Sequence, residues 1–333
     1  MHTRKLGEFE VSALGLGCMS MSQSYGAADR AESERALHRA LDIGYTFLDT
    51  ASLYGFGHNE QLLGEVLKGR RNEYILASKC GLFRDKETGQ RTLDGSPEKI
   101  KEICEESLKN LQTDVIDLYY LHRKDPKVPI EESFGAMGDL IAEGKVRTVG
   151  LSEASSETIR RAHAVCPLTA VQSEYSLWTR IPELKALSTC RELGITFVPF
   201  SPLGRGFLTG ELRDDSLLGE DDLRLTMPRF LGDNFIENLK LLTEYQHIAN
   251  ENNCSPAQLA LAWLLSKDET VIPIPGTKHV KYVEENFEAG DMKLSATVIQ
   301  RLDQLINDAT VLGDRYNETF MKMMDSENDK NAP

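Results

Sequence analysis

From about residue 15 to residue 290, short apolar runs of strand length alternate with longer amphipathic segments, and this rhythm restricts the fold more than any other feature of the chain. The runs read as strands are 14–18, 46–49, 74–79, 115–122, 146–150, 170–172, 195–200 and 271–273. The segments between them carry helix starts. Ser96-Pro97 precedes Ile100, Cys104, Leu108 and Leu111, and Ser255-Pro256 precedes Leu259, Trp263 and Leu264, each joining an N-cap residue to proline at the first helical position. Eight strand–helix units predict an α/β fold, a closed (β/α)8 TIM barrel, in preference to an open doubly wound sheet. Two short strands near 4–6 and 9–11, around Gly7-Glu8, are expected as a β-hairpin plugging the N-terminal end of the barrel. Gly204–Asp233, rich in turn residues and charges where a helix should follow the seventh strand, reads as a long loop at the barrel mouth. One domain over residues 1–320 is expected, with 321–333 as a mobile polar tail. Its Met321, Met323 and Met324 would dock only onto a partner surface.

Composition narrows the function. A formal charge of −14 argues against nucleic-acid or anionic-membrane surfaces, so an anionic ligand must find a local basic pocket. No run approaches the roughly 18 apolar residues of a membrane span, and the N-terminus lacks an apolar signal core, so a soluble cytoplasmic protein is expected. Six cysteines without a Cys-x-x-Cys pair and seven histidines without ligand spacing indicate reduced thiols and no metal. Cys18 and Cys80, the thiols nearest the mouth, are expected to affect activity when oxidised without being catalytic. Gly15-Leu16-Gly17-Cys18-Met19-Ser20 has two glycines of a Rossmann fingerprint but Ser20 in place of the third, and it sits on the first barrel strand, which excludes that dinucleotide site.

In barrels of this kind, chemistry gathers at the C-terminal ends of the strands. Three such ends carry Asp49, Lys79 and His122, and Tyr54 follows Asp49 by five residues in a loop able to turn back over the mouth. A phenol is a poor acid at neutral pH unless an ammonium stabilises its phenolate, a role open to Lys79, with Asp49 holding Lys79 charged and oriented. His122 would bind a carbonyl oxygen. Singly, each residue has an ordinary structural role; together, at different strand ends of one barrel, they form a proton-donating site.

The stretch Asp49-Thr50-Ala51-Ser52-Leu53-Tyr54-Gly55, followed by Gly57-His58-Asn59-Glu60-Gln61-Leu62-Leu63-Gly64, resembles the aldo-keto reductase signature. Residues 144–152, 172–177, 200–204 and 274–278 are similar to later motifs of that family, and 150–155 with 174–180 to its branch that includes perakine reductase. The resemblance implies an NADP(H)-dependent oxidoreductase, with alcohol dehydrogenase or carbonyl reductase activity, that reduces small carbonyl compounds, aldehydes and some ketones, by hydride transfer. Asp49, Tyr54, Lys79 and His122 would be its catalytic tetrad and Tyr54 its general acid. It also implies that Ser152 and Gln172 hold the nicotinamide carboxamide, that Phe200 stacks on the ring where tyrosine is usual, and that Ser201, Leu203, Gly204 and Gly206 wrap the pyrophosphate. Gly276, Thr277 and Lys278, at a helix start after the eighth strand, offer backbone N–H groups, a hydroxyl and a charge to the 2′-phosphate. Glu285 and Asn286 would meet the adenosine. The family commonly has Asn where this chain has Glu153, and a carboxylate cannot donate to the carboxamide oxygen. Trp178 and Phe83 are expected to line an apolar mouth. A different class of function on the same fold is a nicotinamide-binding regulatory subunit, like potassium-channel β subunits. Oligomeric state is not read from the sequence.

Overall fold

The computed structural model describes residues 1–22, 25–85, 90–214, 218–219 and 222–330. The chain opens with an antiparallel hairpin of β1 (Thr3–Leu6) and β2 (Phe9–Ser12), turning at Gly7 with φ 57°. Barrel strands β3 (Leu16–Gly17), β4 (Phe47–Asp49) and β5 (Ile75–Cys80) follow. A small hairpin of β6 (Leu82–Arg84) and β7 (Arg91–Leu93) leans over the mouth before β8 (Ile116–Leu121), β9 (Val146–Ser152), β10 (Leu168–Glu174) and β11 (Thr196–Phe200) complete a parallel sheet in chain order. Outside it lie α1 (Arg30–Ile43), α2 (His58–Leu67), α3 (Pro97–Leu111), α4 (Ile130–Ala142), α5 (Ser156–Val165) and α6 (Ala186–Leu193). Beyond β11 come α7 (Gly232–Glu251), α8 (Pro256–Leu265), α9 (Val280–Glu288), α10 (Ala296–Leu305) and the short α11 (Glu318–Met321). Ser96 and Ser255 cap α3 and α8 as expected, Ser255 within a full capping box. No helix among the described residues is long and apolar enough to cross a membrane.

The eighth barrel segment closes the sheet with fewer bonds than a regular strand. Ile272 N donates to Phe197 O and Ile274 N to Pro199 O, so its even-numbered residues face β11. On the other side Gly15 N donates to Pro273 O and Gly17 N to Pro275 O. The residues facing β3 are prolines, which accept but have no N–H to return, so half of that ladder is missing. Bridges Phe197–Val271 and Gly17–Gly276 mark the two seams.

Side-chain alternation then sorts the strands. Phe47, Ala77, Leu118, Tyr120, Ala170, Val198, Ile272 and Ile274 point inward and pack with Leu6, Phe9 and Val11 of the hairpin, which plugs the barrel as expected. The opposite parity, including Leu48, Leu76, Tyr119, Leu121 and Phe197, packs outward against the helices. One step further along the inward parity stand Asp49, Lys79, His122, Gln172 and Phe200, so the register that fills the barrel also delivers these side chains to its mouth.

After β11 the chain runs through single turns at Gly204–Thr209, Leu223–Thr226 and Pro228–Phe230 before α7, so the long mouth loop is present; residues 215–217 and 220–221 within it lie outside the described residues. The expectation of mobility beyond residue 320 does not match residues 321–330. Asp325 accepts from Ser155 N and Ser155 Oγ (both 2.9 Å), and Asp329 from Ser156 N (3.0 Å), so two carboxylates of the arm satisfy the otherwise unpaired first amides of α5. Lys124 adds an ion pair to Asp325 at 2.9 Å, and Met324 is buried. Polar composition suggested solvent, but those carboxylates are helix caps. Residues 331–333 lie outside the described residues.

Gly150 of β9 shows how tightly the interior is filled. A Cβ there would lie 2.5 Å from the Tyr120 ring and 2.8 Å from the Ala170 carbonyl oxygen. Gly150→Ala is expected to destabilise the protein by about 1–3 kcal/mol, the usual cost of overpacking. The urea unfolding midpoint measures this, and an unchanged midpoint would contradict it.

Candidate active site

The site is built on a buried ion pair. Lys79 Nζ lies 2.5 Å from Asp49 Oδ1, donates to the Thr50 carbonyl at 2.8 Å and reaches Tyr54 Oη at 3.3 Å. Gln172 Nε2 donates to the second Asp49 oxygen at 2.8 Å, so side chains from β4, β5 and β10 hold one another. Tyr54 comes from a short turn, Tyr54–Gly57, that doubles back through left-handed residues at Gly55 (φ 55°), Phe56 (φ 56°) and Gly57 (φ 88°). Buried Asn59 fixes the turn from behind, accepting from Thr50 Oγ1 and donating to Cys18 O and Ser22 Oγ. The His122 ring stands edge-on to Tyr54, with centroids 6.0 Å apart at 83°.

Burial and charge act in opposite directions on these groups. Burial pushes the Tyr54 phenol above its ordinary pKa of 10; the Lys79 ammonium pulls it back, and burial prevails. The ammonium thus stabilises the phenolate, while burial keeps the resting phenol protonated. Burial opposes the charge on Lys79, which Asp49 and Tyr54 more than restore, raising its pKa. His122 is held well below 6.5 by burial, then by Arg123, Lys79 and Arg91, so its imidazole is neutral.

Above this floor runs a cleft of about 550 Å³. Asp49, Tyr54, His122, Ser152, Gln172, Phe200, Ser201, Leu203, Gly206, Gly276, Thr277, Lys278, Glu285 and Asn286 all line it. Two expected residues do not. Lys79 lies wholly buried behind Tyr54, and Gly204 faces Trp178 and Leu208 inside the loop. In the loop after β11, Ser201 (φ 49°), Gly204 (φ 56°), Arg205 (φ 56°) and Gly206 (φ 93°) adopt left-handed conformations that make a concave run of backbone, a form suited to anions.

At the far end, Lys278 is not free. It donates to the carbonyls of Tyr25 (2.9 Å), Gly26 (3.3 Å) and Ala27 (2.6 Å), tying the loop before α1 across the cleft. The amide of Val280 at the start of α9 bonds Glu32 Oε1 at 3.1 Å, so a carboxylate already occupies part of the helix end expected to receive a phosphate.

Three expectations are overturned. Trp178 is buried, stacked on Phe207 with centroids 4.0 Å apart, and does not line the cleft; neither does Phe83, which packs beside Lys99. The apolar mouth is made instead by Met19, Leu53 and Leu82 with Tyr316, Phe320, Met323 and Met324 from the C-terminal arm. Cys18 and Cys80 are fully buried with thiols pushed far up by that burial, so they are unreactive packing groups and not oxidation sites at the mouth.

Glu153 turns away from the cleft. It makes a two-pronged pair with Arg315 (3.0 and 2.6 Å), accepts from Ser326 Oγ (2.6 Å) and from Glu174 N (2.8 Å), and adopts φ 52° to do so. Burial pushes its carboxyl up, but Arg315, with Arg123 behind it, overrides this and holds it at about 2. Glu174 and Arg205 extend the buried network at 2.8 Å, and Arg205 donates to Tyr316 Oη at 2.6 Å. The arm that walls the mouth is thus anchored by charge. Arg123, Arg205, Tyr25 and the arm were not found as site residues from the sequence; Arg123, next to His122, and Arg205, between Gly204 and Gly206, carried a positional signal.

The model of the aldo/keto reductase family matches residues 13–307. The chain is 45% identical over 319 residues to the aldo-keto reductase yakc [NADP(+)] of Schizosaccharomyces pombe, covering 94% of each chain, and 41% identical to the aldo-keto reductase str7 of Strobilurus tenacellus, covering 97% of each. Among solved structures it is similar to the glycerol dehydrogenase of Gluconobacter oxydans, with a TM-score of 0.84, 28% identity and coverage of 96% of this chain and 98% of that one. An aldo-keto reductase of Klebsiella pneumoniae in complex with NADPH gives a TM-score of 0.73 at 28% identity, covering 94% and 98%.

The Glu153–Arg315 pair gives a pH-dependent prediction. A carboxyl depressed from 4.5 to about 2 stabilises the folded arm above pH 4.5, and that contribution is lost as pH falls toward 2. Glu153→Gln removes it at every pH and leaves Arg315 only Glu327 at 2.8 Å and Glu174 at 3.6 Å as charged partners, a loss of roughly 1.5–3 kcal/mol, the range for a hydrogen bond to a charged group. Tryptic cleavage at Arg315 and Lys322 near neutral pH should therefore be much faster in the variant, and equal cleavage rates would refute the anchoring role.

Proposed function

Because the chain belongs to the aldo/keto reductase family, we propose that it is an NADPH-dependent oxidoreductase that reduces aldehydes, and ketones that fit its mouth, to alcohols, with Tyr54 as the general acid. The observation that carries this reading is the 3.3 Å contact of Tyr54 Oη with a lysine fixed at 2.5 Å by Asp49, at the floor of the cleft. The named cofactors of the Schizosaccharomyces and Klebsiella proteins support the choice of NADP(H). The residues present also fit it: a concave backbone run at 201–206, a hydroxyl and an ammonium at Thr277 and Lys278, and a buried guanidinium nitrogen of Arg123 lacking a partner among the described residues.

When bound, the reduced nicotinamide supplies a hydride to the carbonyl carbon. The chain's own residues manage the proton. Tyr54 gives its phenolic proton to the carbonyl oxygen as negative charge grows there, and the Lys79 ammonium stabilises the phenolate left behind. Asp49, steadied by Gln172, keeps that ammonium charged and aimed. Neutral His122 brings no charge of its own and bonds the carbonyl oxygen through its remaining N–H. The apolar mouth of Met19, Leu53, Leu82 and the arm excludes water and suits aromatic or medium-chain aldehydes.

Tyr54→Phe should reduce turnover by ~10²–10⁴-fold, the usual contribution of general acid catalysis, with little effect on cofactor affinity. NADPH oxidation with a panel of aldehydes and ketones measures this, and turnover within a few-fold of wild type would remove Tyr54 from the role. Lys79→Met should slow the reaction and move its alkaline limb to higher pH, because the ammonium lowers the tyrosine's pKa and its loss lets that pKa climb. A limb moving to lower pH would contradict the coupling.

Cofactor choice gives an opposed pair of variants. Lys278→Met should lower kcat/KM for NADPH relative to NADH, whereas Glu32→Gln should raise that ratio by removing a carboxylate beside the phosphate end. Ratios unchanged in both variants would place the 2′-phosphate elsewhere.

A further inference from the structure

The pairing of Glu153 with Arg315 leaves the nicotinamide end of the cleft without the side-chain amide that the family resemblance implies at this position. Both carboxylate oxygens of Glu153 are engaged on the far side of β9, and a carboxylate has no proton to offer a carboxamide oxygen. Arg123 lies where that donor is missing. It lines the cleft, is only 9% exposed, and sends Nη1 to Ser152 Oγ at 3.0 Å and to the His122 carbonyl at 2.6 Å. Its guanidinium carbon stands 6.0 Å from the centre of the Phe200 ring. Its Nε is buried with no partner, and its hydrogen bonds go to neutral oxygens and to no carboxylate among the described residues.

A buried guanidinium with an unpartnered N–H is costly unless a ligand completes its hydrogen bonds. Its neighbours are those expected to flank a nicotinamide, with Ser152 for the carboxamide and Phe200 for the ring face. We propose that Arg123 is a cofactor-binding residue whose guanidinium donates to the nicotinamide carboxamide oxygen, taking the part that Glu153 has given up to anchor the arm. This rests on the NADP(H) reading above. The two residues divide the work: the carboxylate at 153 ties down the C-terminal wall, and the guanidinium at 123 keeps the ring oriented toward Tyr54 and His122. Arg123 also lies close enough to both to lower their pKa values.

The test separates the nicotinamide from the rest of the dinucleotide. Calorimetric titration of NADP+ and of 2′-phospho-ADP-ribose, the same molecule without its nicotinamide, is done on wild type, Arg123→Met and Arg123→Gln. The Met variant should bind NADP+ about 10- to 100-fold more weakly, the range for a hydrogen bond to a charged group, while 2′-phospho-ADP-ribose binds within about twofold of wild type. The Gln variant, which keeps an amide donor, should show a smaller loss in the same direction and serves alone if the Met variant does not fold. Equal weakening of both ligands, or weakening of neither, overturns the assignment. Wild type that binds neither ligand would instead overturn the cofactor reading and this inference with it.

Discussion

The Lys79–Asp49 pair is the constraint around which the mouth of the barrel is arranged. A buried ammonium needs all of its protons taken up, and here they go to Asp49, to the Thr50 carbonyl and to Tyr54. Asp49 in turn needs its second oxygen satisfied, which Gln172 does from four strands away in sheet order. A slip of one residue in β4, β5 or β10 would turn its member outward and leave the others as uncompensated charges in the interior. Strand register is therefore enforced twice, by the apolar layer of Phe47, Ala77, Tyr120 and Ala170 below and by this charged layer above. Tyr54 is placed by the same network, because the lysine proton it receives is the only one of the three not spent on structure.

A second charged assembly sets the wall opposite Tyr54. Glu153, Glu174, Arg205 and Arg315 are all nearly inaccessible to solvent, and each touches a different part of the mouth: β9, β10, the loop after β11 and the C-terminal arm. Hydrophobic packing alone would let the arm slide, since Met321, Met323 and Met324 are adaptable side chains with soft contact preferences. Two-pronged guanidinium–carboxylate geometry does not permit that freedom. Met323 and Met324 can then present a deformable apolar surface to the cleft while the backbone behind them stays fixed.

The barrel was readable because its code is short range. Period-two alternation, Ser-Pro helix starts and the strand-end positions of Asp49, Lys79 and His122 are all visible within a few residues of each other. The eighth strand was also legible, although Pro273 and Pro275 leave it half-bonded on the β3 side. What could not be read was long range. Glu153 meets Arg315 across 162 residues and Asp325 reaches Ser155 across 170, and nothing in local composition separates a carboxylate that caps a helix from one that faces water. Trp178 failed for a related reason: a large aromatic near a strand end is equally suited to a substrate wall and to stacking beneath the loop that forms one, and Phe207 decided the matter. Glu32 and Lys278 show that the end of the cleft singled out in the sequence holds partners from elsewhere in the chain, each of them engaged before any ligand arrives.

Such prior engagement matters for a chain of formal charge −14 that must receive a dinucleotide phosphate. The field of the whole molecule opposes an approaching polyanion, and the cations along the cleft must outweigh it locally. They are held in place by fixed neighbours: Arg205 by Glu174, Arg224 by Asp222, Lys278 by three carbonyls and Arg123 by Ser152 and the His122 carbonyl. Holding them this way removes side-chain entropy before binding, so less is lost when a phosphate or carboxamide is met. It also separates the two electrostatic effects by range. Repulsion from the distant surface carboxylates acts over distances comparable to the Debye length, roughly 10 Å at 0.1 M salt, and is screened first. Attraction within the partly buried cleft is screened much less, so moderate salt favours entry of the anion while leaving its contacts largely intact. Selectivity for the cofactor then depends on a few short-range donors whose positions the barrel has already fixed.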